Sequence, residues 1–275
     1  MKKNLKWIGM ILLVVLAVVF VGCKKPHRVA LVAHMGYWDC EAGGGTYNSI
    51  AALAAAQDIA LWGSECDVNM TADNVVIVCH GPVFNGVDLR NSNYADTVRF
   101  LKLKNGEPVP TLDQYLEQAA KSRTVPVLEL KPQLNEEREN TMVELTIASL
   151  KKYGLYSPKR VAFISFSPFM CKKIAREHPA FTNQYLNGDR TPADLHKDGI
   201  NGLDYNYKVL HKHPEWVKEA HDLGMSVNVW AIGPKDNEEY LREMIALDVD
   251  QVTTSYPILA RSVMPKGKEL PVGKK

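Results

Sequence analysis

The sequence predicts an α/β protein folded as a single TIM (β/α)8 barrel, and three observations support this fold class. Short apolar runs alternate with longer amphipathic runs from residue 28 onward, which is typical of parallel strands joined by helices. The chain has 275 residues, 46% of them hydrophobic, so it can bury one large core. Eight of the apolar runs can lie parallel, which is the number that a closed barrel needs.

The strand candidates are short runs rich in apolar residues, bounded by turn-forming ones. They are Val29–Ala33, Gly63–Val68, Val75–Cys79, Val125–Leu130, Val161–Ser165, Asn183–Leu186, Gly202–Tyr205, Ser226–Trp230 and Gln251–Thr254. Amphipathic patterns predict helices between most of them. They are Ser49–Gln57, Thr111–Ala120, Glu137–Lys152, Phe169–Glu177, Glu215–Leu223 and Glu238–Leu247. A doubly wound open sheet is the alternative architecture for this alternation.

One strand candidate exceeds the eight of a barrel. Only the polar turn Thr71-Ala72-Asp73-Asn74 separates the second candidate from the third. Because no helix fits in that turn, the two runs are expected to pair as an antiparallel hairpin that elaborates the barrel. Residues 81–110, rich in Asn, Gly and Pro and without a clear strand, are predicted to form a small insertion after the second strand, over the barrel mouth.

The first residues predict export. Lys2, Lys3 and Lys6 precede an uncharged apolar run over residues 7–22, and the order of basic and apolar regions is that of a secretory signal. Gly22 followed by Cys23 resembles a bacterial lipobox, which implies cleavage before Cys23 and a lipid on its thiol. The alternative is an uncleaved anchor helix, although the run falls short of the ~20 residues that a bilayer span needs.

These features divide the chain and place it. The predicted parts are a lipoprotein signal peptide at 1–22, a tether at 23–27, a barrel domain at 28–262 and a tail at 263–275. The protein is expected to be exported and membrane-anchored, on the periplasmic or cell-surface side. A net charge of +2 gives no reason to expect a nucleic-acid partner. The absence of a Cys-x-x-Cys pair argues against a cysteine zinc site.

Chemically active side chains cluster at the carboxyl ends of the predicted strands, where barrel enzymes place their sites. They are His34, Glu65, Asp67, Glu129, Lys131 and Trp230. Alternate residues of a strand share a face, so Glu65 with Asp67, and Glu129 with Lys131, point the same way. Three neighbouring carboxylates repel one another without a cation, and oxygen ligands suit a hard ion such as Mg²⁺ or Ca²⁺.

The hairpin is expected to add a second histidine. A two-residue turn places His80 opposite Asp67, and a four-residue turn places it opposite Glu65, so both registers predict His80 on the carboxylate face. The same parity directs Cys66 and Cys79 to the other face and leaves a disulfide between them open. Two histidines beside a cation suit general acid–base catalysis on a phosphate ester.

The order of these residues resembles that of the glycerophosphodiester phosphodiesterase family. The matching motifs are His34-Met35-Gly36, Asn48-Ser49, Glu65-Cys66-Asp67-Val68, Thr71-Ala72-Asp73, His80-Gly81 and Val127-Leu128-Glu129-Leu130-Lys131. The resemblance implies hydrolysis of glycerophosphodiesters, small-molecule substrates, to glycerol 3-phosphate and an alcohol, through attack by the neighbouring glycerol hydroxyl. The implied roles are acid–base catalysis for His34 and His80, cation binding for Glu65, Asp67 and Glu129, substrate binding for Lys131, and an apolar wall for Trp230.

Two positions depart from the family pattern. Met35 replaces the arginine after the first histidine, which removes a guanidinium suited to phosphate. Gly81 replaces the aspartate after the second histidine. Candidates in the insertion for supplying the lost positive charge are Arg90, Arg99 and Lys102. Two other functions stay open: a phospholipase-type enzyme, which an exposed apolar rim around residues 81–110 would favour, and a lipoprotein that binds phosphodiesters without turnover.

Overall fold

Residues 27–272 are described by a computed structural model; the predicted signal peptide and Cys23 lie outside the described residues. In chain order, the strands are β1 (Ala30–Ala33), β2 (Gly63–Met70), β3 (Val76–Val78), β4 (Val83–Phe84), β5 (Val87–Asp88), β6 (Val125–Leu130), β7 (Ala162–Ser165), β8 (Thr182–Tyr185), β9 (Gly202–Asn206), β10 (Ser226–Trp230) and β11 (Gln251–Thr254). Eight of them, all but β3, β4 and β5, are parallel neighbours in one ring. Strand β1 pairs with both β11 and β2, which closes the barrel and excludes the open sheet.

Helices cover the outside of the barrel. They are α1 (Ile50–Asp58), α2 (Leu112–Ala119), α3 (Glu136–Lys152), α4 (Pro168–Glu177), α5 (Pro192–Lys197), α6 (Tyr207–Lys212), α7 (Glu215–Asp222), α8 (Glu238–Ala246) and α9 (Pro257–Val263). The six predicted helices are confirmed within one residue at each end, and α5, α6 and α9 were not predicted. Thr111 caps α2, where its hydroxyl and the Gln114 side chain form a capping box. Within the described part, every helix falls short of the length and hydropathy that crossing a bilayer requires.

The core has an inner and an outer part. Inside the barrel, Val32, Val127 and Ile164 pack in one buried cluster, and two larger clusters fill the space between the strands and the helices. All residues of these clusters lie within residues 27–272, so a form of the protein that begins at Lys24 retains the whole described core and is expected to fold on its own. We call the end where the parallel strands begin the lower end, and the end where they finish the upper end.

The hairpin exists, but the predicted register is wrong. Met70 pairs with Val76 and Asn69 with Ile77, so five residues form the turn instead of two or four. This places Asp67 opposite Cys79, whose N–H donates to the Asp67 carbonyl at 2.9 Å. The parity argument for His80 therefore fails, and Cys79 rather than His80 has the position opposite Asp67.

The two cysteines of the hairpin do not form the disulfide that the sequence left open. Both thiols are free. Cys66 packs in the outer cluster between β2 and the helices, whereas Cys79 packs among residues of the insertion. The two side chains therefore lie on opposite sides of the hairpin.

The insertion over residues 81–110 is confirmed as a separate small layer with its own apolar cluster around Leu89, Val98 and Val109. Contrary to the expectation, it contains strands, because β4 and β5 form a two-stranded hairpin. The Glu107 carboxylate accepts the N–H groups of Ile50 and Ala51, at 2.9 and 3.2 Å. This contact satisfies two free donors at the start of α1 and fixes the insertion beside the barrel mouth.

Candidate active site

Three buried carboxylates and one lysine meet at the upper end of β2 and β6. Glu65 and Asp67 lie on β2, and Asp67 is the direct neighbour of Glu129 on β6. The Lys131 Nζ atom lies 2.7 Å from Asp67 Oδ1 and 2.5 Å from Glu129 Oε1. One carboxylate oxygen from each of Glu65, Asp67 and Glu129 lies within 4.8 Å of the others. The structure thus brings together the four charged residues that the strand ends predicted.

The cluster carries more negative than positive charge. Burial, and then the charges of Asp67 and Glu129, raise the pKa of Glu65 well above its usual range. Burial and Asp67 raise the pKa of Glu129 to about 7. Burial alone would raise the pKa of Asp67, but the neighbouring charges, first that of Lys131, and the hydrogen bonds from Lys131 and Asn48 together outweigh burial and lower this pKa. One ammonium group does not balance three carboxylates, and such a site favours an added positive charge.

The donor set fits a hard divalent cation. Glu65 is 2% exposed, and its Oε2 accepts the Met35 N–H at 2.7 Å. Within the described residues, no hydrogen bond reaches the other oxygen, Oε1. A buried, unpartnered carboxylate oxygen is costly unless a ligand meets it. Three buried carboxylate oxygens within 4.8 Å of one another are the ligand type that Mg²⁺ and Ca²⁺ prefer.

Asn48 holds the cluster from the start of α1. Its Nδ2 donates to Asp67 Oδ2 at 2.7 Å, and its Oδ1 accepts the Asp67 N–H at 3.0 Å. Asn48 has a φ of 58°, a left-handed conformation that asparagine tolerates better than most residues. The Asn48-Ser49 motif was noted in the sequence, but its role as a partner of Asp67 was not predicted.

His34 follows β1 and lies half-buried beside the cluster. Its Nδ1 lies 3.4 Å from the Ser255 hydroxyl, and Asp236 accepts the Ser255 N–H at 2.6 Å. Burial lowers the pKa of His34 to about 4, although the Asp67 charge acts in the opposite direction. The imidazole is therefore neutral at neutral pH and can accept a proton. Ser255 and Asp236 were not predicted as parts of the site.

His80 lines the same cavity and is exposed. It follows β3 beyond the last strand pair, so its direction is set by the loop. The Asn69 Nδ2 atom donates to the Cys79 carbonyl at 2.7 Å and lies 3.3 Å from the Gly81 carbonyl. A Cβ on Gly81 would lie 2.9 Å from the Val83 carbonyl oxygen, so this loop conformation leaves no space for the aspartate of the family pattern.

One cavity of about 610 Å³ joins these groups. The two histidines, Glu65, Glu129 and Lys131 line it, together with Trp230 and other apolar residues on its wall and rim. These further residues include Trp38, Tyr47, Val83, Phe166 and Ile232. The buried carboxyl of Asp204 also reaches the cavity, below Trp230, whose Nε1 donates to the Asp204 carbonyl at 3.2 Å. Asp204 was not among the predicted site residues.

Lys131 is the one Lys or Arg that lines this cavity within residues 27–272. The three cations proposed to replace the family arginine lie elsewhere. Arg90 donates to the Pro132 carbonyl at 3.1 Å, and Arg99 lies over the exposed Phe100 ring. Lys102 is also absent from the lining. None of the three candidates in the insertion therefore supplies positive charge to the cavity lining.

The chain matches a known protein family and several solved structures. A sequence profile described as the glycerophosphoryl diester phosphodiesterase family matches residues 41–259. This segment contains every predicted residue of the catalytic site except His34, which precedes it. A glycerophosphodiester phosphodiesterase from Parabacteroides distasonis is 38% identical, with a TM-score of 0.81, and the match covers 87% of this chain and 98% of that one. Among curated protein sequences, none gives a match.

Two more distant structures share the fold. A glycerophosphodiester phosphodiesterase from Agrobacterium tumefaciens is 21% identical, with a TM-score of 0.68, over 86% of this chain and 100% of that one. A phosphodiesterase from Oleispira antarctica, solved in complex with the product sn-glycerol-3-phosphate, is 19% identical, with a TM-score of 0.71, over 86% of this chain and 96% of that one.

Proposed function

The chain belongs to the glycerophosphoryl diester phosphodiesterase family, and we propose that it hydrolyses glycerophosphodiesters to glycerol 3-phosphate and an alcohol. The observation that carries the proposal is the cavity at the upper end of the barrel, into which two histidines, the carboxylate cluster and a lysine all open. Hydrolysis of a phosphodiester is promoted by three components: a general base, a general acid, and positive charge beside the phosphate oxygens.

Glu65, Asp67 and Glu129 would hold a divalent cation, Mg²⁺ or Ca²⁺. Two observations support this assignment: one carboxylate oxygen from each residue lies within 4.8 Å of the other two, and Glu65 Oε1 has no hydrogen-bond partner among the described residues. When bound, the cation supplies positive charge that stabilises developing negative charge on the phosphate oxygens. Asn48 holds Asp67 in place through its two hydrogen bonds, and the Met35 N–H holds Glu65.

His34 and His80 would form the acid–base pair. In the first step, neutral His34 accepts the proton of the glycerol hydroxyl next to the phosphate, and that oxygen bonds to phosphorus. The bond from phosphorus to the leaving alcohol breaks, and His80, an exposed residue of the cavity lining, protonates the departing oxygen. In the second step, water opens the resulting cyclic phosphate, and the two histidines exchange roles. The products are glycerol 3-phosphate and one alcohol.

Lys131 and Trp230 would bind the substrate. The Lys131 ammonium is fixed by Asp67 and Glu129, which raise its pKa and keep it charged. Its position at the cavity wall suits contact with a phosphate oxygen. The Trp230 ring, oriented by its hydrogen bond to the Asp204 carbonyl, offers an apolar face to the carbon atoms of the glycerol.

The test is release of glycerol 3-phosphate from glycerophosphocholine and glycerophosphoethanolamine. The purified protein is assayed with Mg²⁺, with Ca²⁺ and with a chelator, and the cation is then restored. We expect turnover with at least one cation, loss of turnover in chelator, and recovery when the cation returns. A folded protein without turnover under either cation would contradict the proposal and favour a phosphodiester-binding role.

An intact-phospholipid or lysophospholipid substrate is the second candidate, and one observation favours it. Three of the apolar residues at the cavity rim are well exposed: Val83 at 57%, Ile232 at 54% and Tyr47 at 48%. Such a rim can contact an acyl chain. Parallel assays with phosphatidylcholine and lysophosphatidylcholine in micelles, compared with glycerophosphocholine, separate the two substrate classes through the ratio of their kcat/KM values.

Replacing Met35 by arginine is expected to lower KM for glycerophosphocholine by about tenfold or more. Met35 lines the cavity, and an arginine there would add a charged hydrogen bond to phosphate, typically worth about 1.5–3 kcal/mol. Met35→Leu, which is similar in volume and uncharged, is expected to leave KM unchanged. Steady-state kinetics measure KM for both variants. Equal KM values would contradict the prediction and show that Lys131 and the cation already provide the positive charge that phosphate binding uses.

We propose that the protein is exported and held at the outer side of the membrane by a lipid on Cys23. The basic, then apolar, N-terminal sequence and Gly22-Cys23 support this. Incorporation of labelled fatty acid into the protein in cells is expected, and its persistence in Cys23→Ser would contradict the assignment.

A further inference from the structure

A second cavity, of about 400 Å³, opens at the lower end of the barrel. Trp62 and the first residues of β6 and β7, Val125 and Ala162, form its apolar floor. Three cationic residues also line it: Arg123, Lys159 and Arg160. No carboxylate of the described chain contributes to the lining. This cavity lies at the opposite end of the barrel from the catalytic residues.

The positive charge of this cavity is not neutralised by its neighbours. None of the three cations takes part in an ion pair within residues 27–272. Arg160 donates to the Ser122 carbonyl at 2.7 Å. Burial lowers the pKa of the Arg160 guanidinium, and the charge of Arg123 lowers it further. Cations that repel one another around an apolar floor favour a bound anion, and guanidinium groups suit phosphate in particular.

The rest of the lower end does not cancel this charge. Two of its carboxylates are paired with a permanent cation: Asp248 with Lys268, and Asp198 with Arg190. Asp250 lies 3.0 Å from the His221 imidazole, and Asp58, at the end of α1, is exposed and outside the described ion pairs. Further cations at this end lie outside the described ion pairs. They are Arg28, Lys121 and Lys266, all exposed. A cationic surface of this kind is attracted to a layer of anionic lipid headgroups.

The path of the chain brings this end close to the predicted anchor. The His27 Nε2–H donates to the Val249 carbonyl at 2.9 Å, and the Val29 N–H donates to the Lys268 carbonyl at 2.8 Å. The first described residue thus lies at the lower end. Cys23 precedes His27 by four residues, a segment that spans at most ~14 Å when extended. A lipid on Cys23 would therefore hold the lower end at the headgroup layer.

We propose that the lower end of the barrel is a membrane-docking surface, on which Arg123, Lys159 and Arg160 bind the phosphate groups of anionic phospholipids. The docking is independent of catalysis. Its consequence for substrate choice rests on the proposed function: the catalytic cavity faces away from the bilayer, and the enzyme acts on soluble glycerophosphodiesters rather than on lipids of the membrane that holds it.

The experiment measures partition of the form that begins at Lys24 into vesicles of phosphatidylglycerol, and into vesicles of phosphatidylcholine as the neutral comparison. We expect binding to the anionic vesicles that weakens with salt, and none to the neutral ones. The double variant Arg123→Gln/Lys159→Gln is expected to bind about 25-fold more weakly, about fivefold for each charge. Arg160 is left in place because it also bonds to Ser122. The matched control, Lys208→Gln/Lys212→Gln, removes two exposed cations at the upper end and is expected to bind as the parent does.

Absence of binding to anionic vesicles, or equal weakening in the two double variants, would overturn the proposal. Turnover of soluble glycerophosphocholine by the parent and both variants is measured in parallel. Its absence in the parent counts against the proposed function and not against docking, and equal turnover in the two variants shows that both are folded. Orientation has its own readout: lysophosphatidylcholine embedded in anionic vesicles is expected to resist hydrolysis while the docked protein still cleaves soluble glycerophosphocholine. Cleavage of the embedded lipid would overturn the orientation.

Discussion

Replacing His80 by alanine is expected to lower kcat for glycerophosphocholine by about 10²–10⁴-fold, the usual contribution of a general acid. Choline is a poor leaving group that needs a proton as it departs, and in the proposed mechanism His80, an exposed residue of the cavity lining, supplies that proton. A substrate with 4-nitrophenol in place of choline needs no such proton. His80→Ala is therefore expected to keep most of its activity on glycerophospho-4-nitrophenol, and the kcat ratio of the two substrates measures the effect.

The His34→Ala variant provides the contrast. If His34 accepts the proton of the attacking hydroxyl, its loss lowers kcat for both substrates, because the choice of leaving group does not change the nucleophile. His196→Ala, outside the cavity, serves as the control for folding and is expected to match the parent. Equal losses on both substrates for His80→Ala would contradict its role as the acid and leave it as a substrate-binding residue.

The regular part of the fold could be read from the sequence because barrel strands are buried on both faces. β6, β10 and β11 were predicted with the bounds that the structure shows, since each is a short run rich in β-branched or apolar residues between turn residues. The missed helices α5, α6 and α9 have six or seven residues. Such segments are shorter than the window in which a helical period can be recognised.

The hairpin shows why register was harder to predict. The number of turn residues depends on Thr71, whose hydroxyl accepts the Val75 N–H at 3.0 Å and whose carbonyl accepts from Arg138 at 2.6 Å. Arg138 comes from α3, far along the sequence, and no local pattern reveals it. A turn of odd length reverses every face of the returning strand. His80 still reaches the site, because β3 ends at Val78 and the chain is free to turn.

The site residues also differ in how well they could be predicted, depending on whether they lie on strands or at loops and element ends. Glu65, Asp67 and Glu129 were predictable because they lie on strands, where a period of two fixes the direction of each side chain. Asn48, Asp236 and Ser255 support the site from the ends of helices and strands or from loops, and only the assembled barrel brings them near Asp67 and His34. Polar residues in loops are common, so the sequence alone does not mark these three as different from the rest.

Replacing Glu65 by glutamine is expected to abolish stabilisation by a divalent cation while leaving the cation-free protein at least as stable as the parent. Burial and two neighbouring carboxylates raise the pKa of Glu65. A raised pKa means that the folded state holds a proton that the unfolded state releases, so Glu65 costs stability as the pH rises above its ordinary value. Glutamine has nearly the same shape and no such cost. It also lacks the charge that a cation needs.

Thermal unfolding in chelator and in saturating Mg²⁺ or Ca²⁺ measures both effects. At a cation concentration of about 100 times Kd, the parent gains about 2.7 kcal/mol, a rise in Tm of roughly 5–11 °C for a domain of this size. Glu65→Gln is expected to show less than a fifth of that rise and a loss of activity. Glu144→Gln, a substitution of an exposed carboxylate outside the cluster, serves as the control. An unchanged cation-dependent rise in Glu65→Gln would mean that the cation binds without Glu65. A large fall in Tm in chelator would instead mean that the Glu65 carboxylate stabilises the barrel by itself, through the Met35 N–H that it accepts.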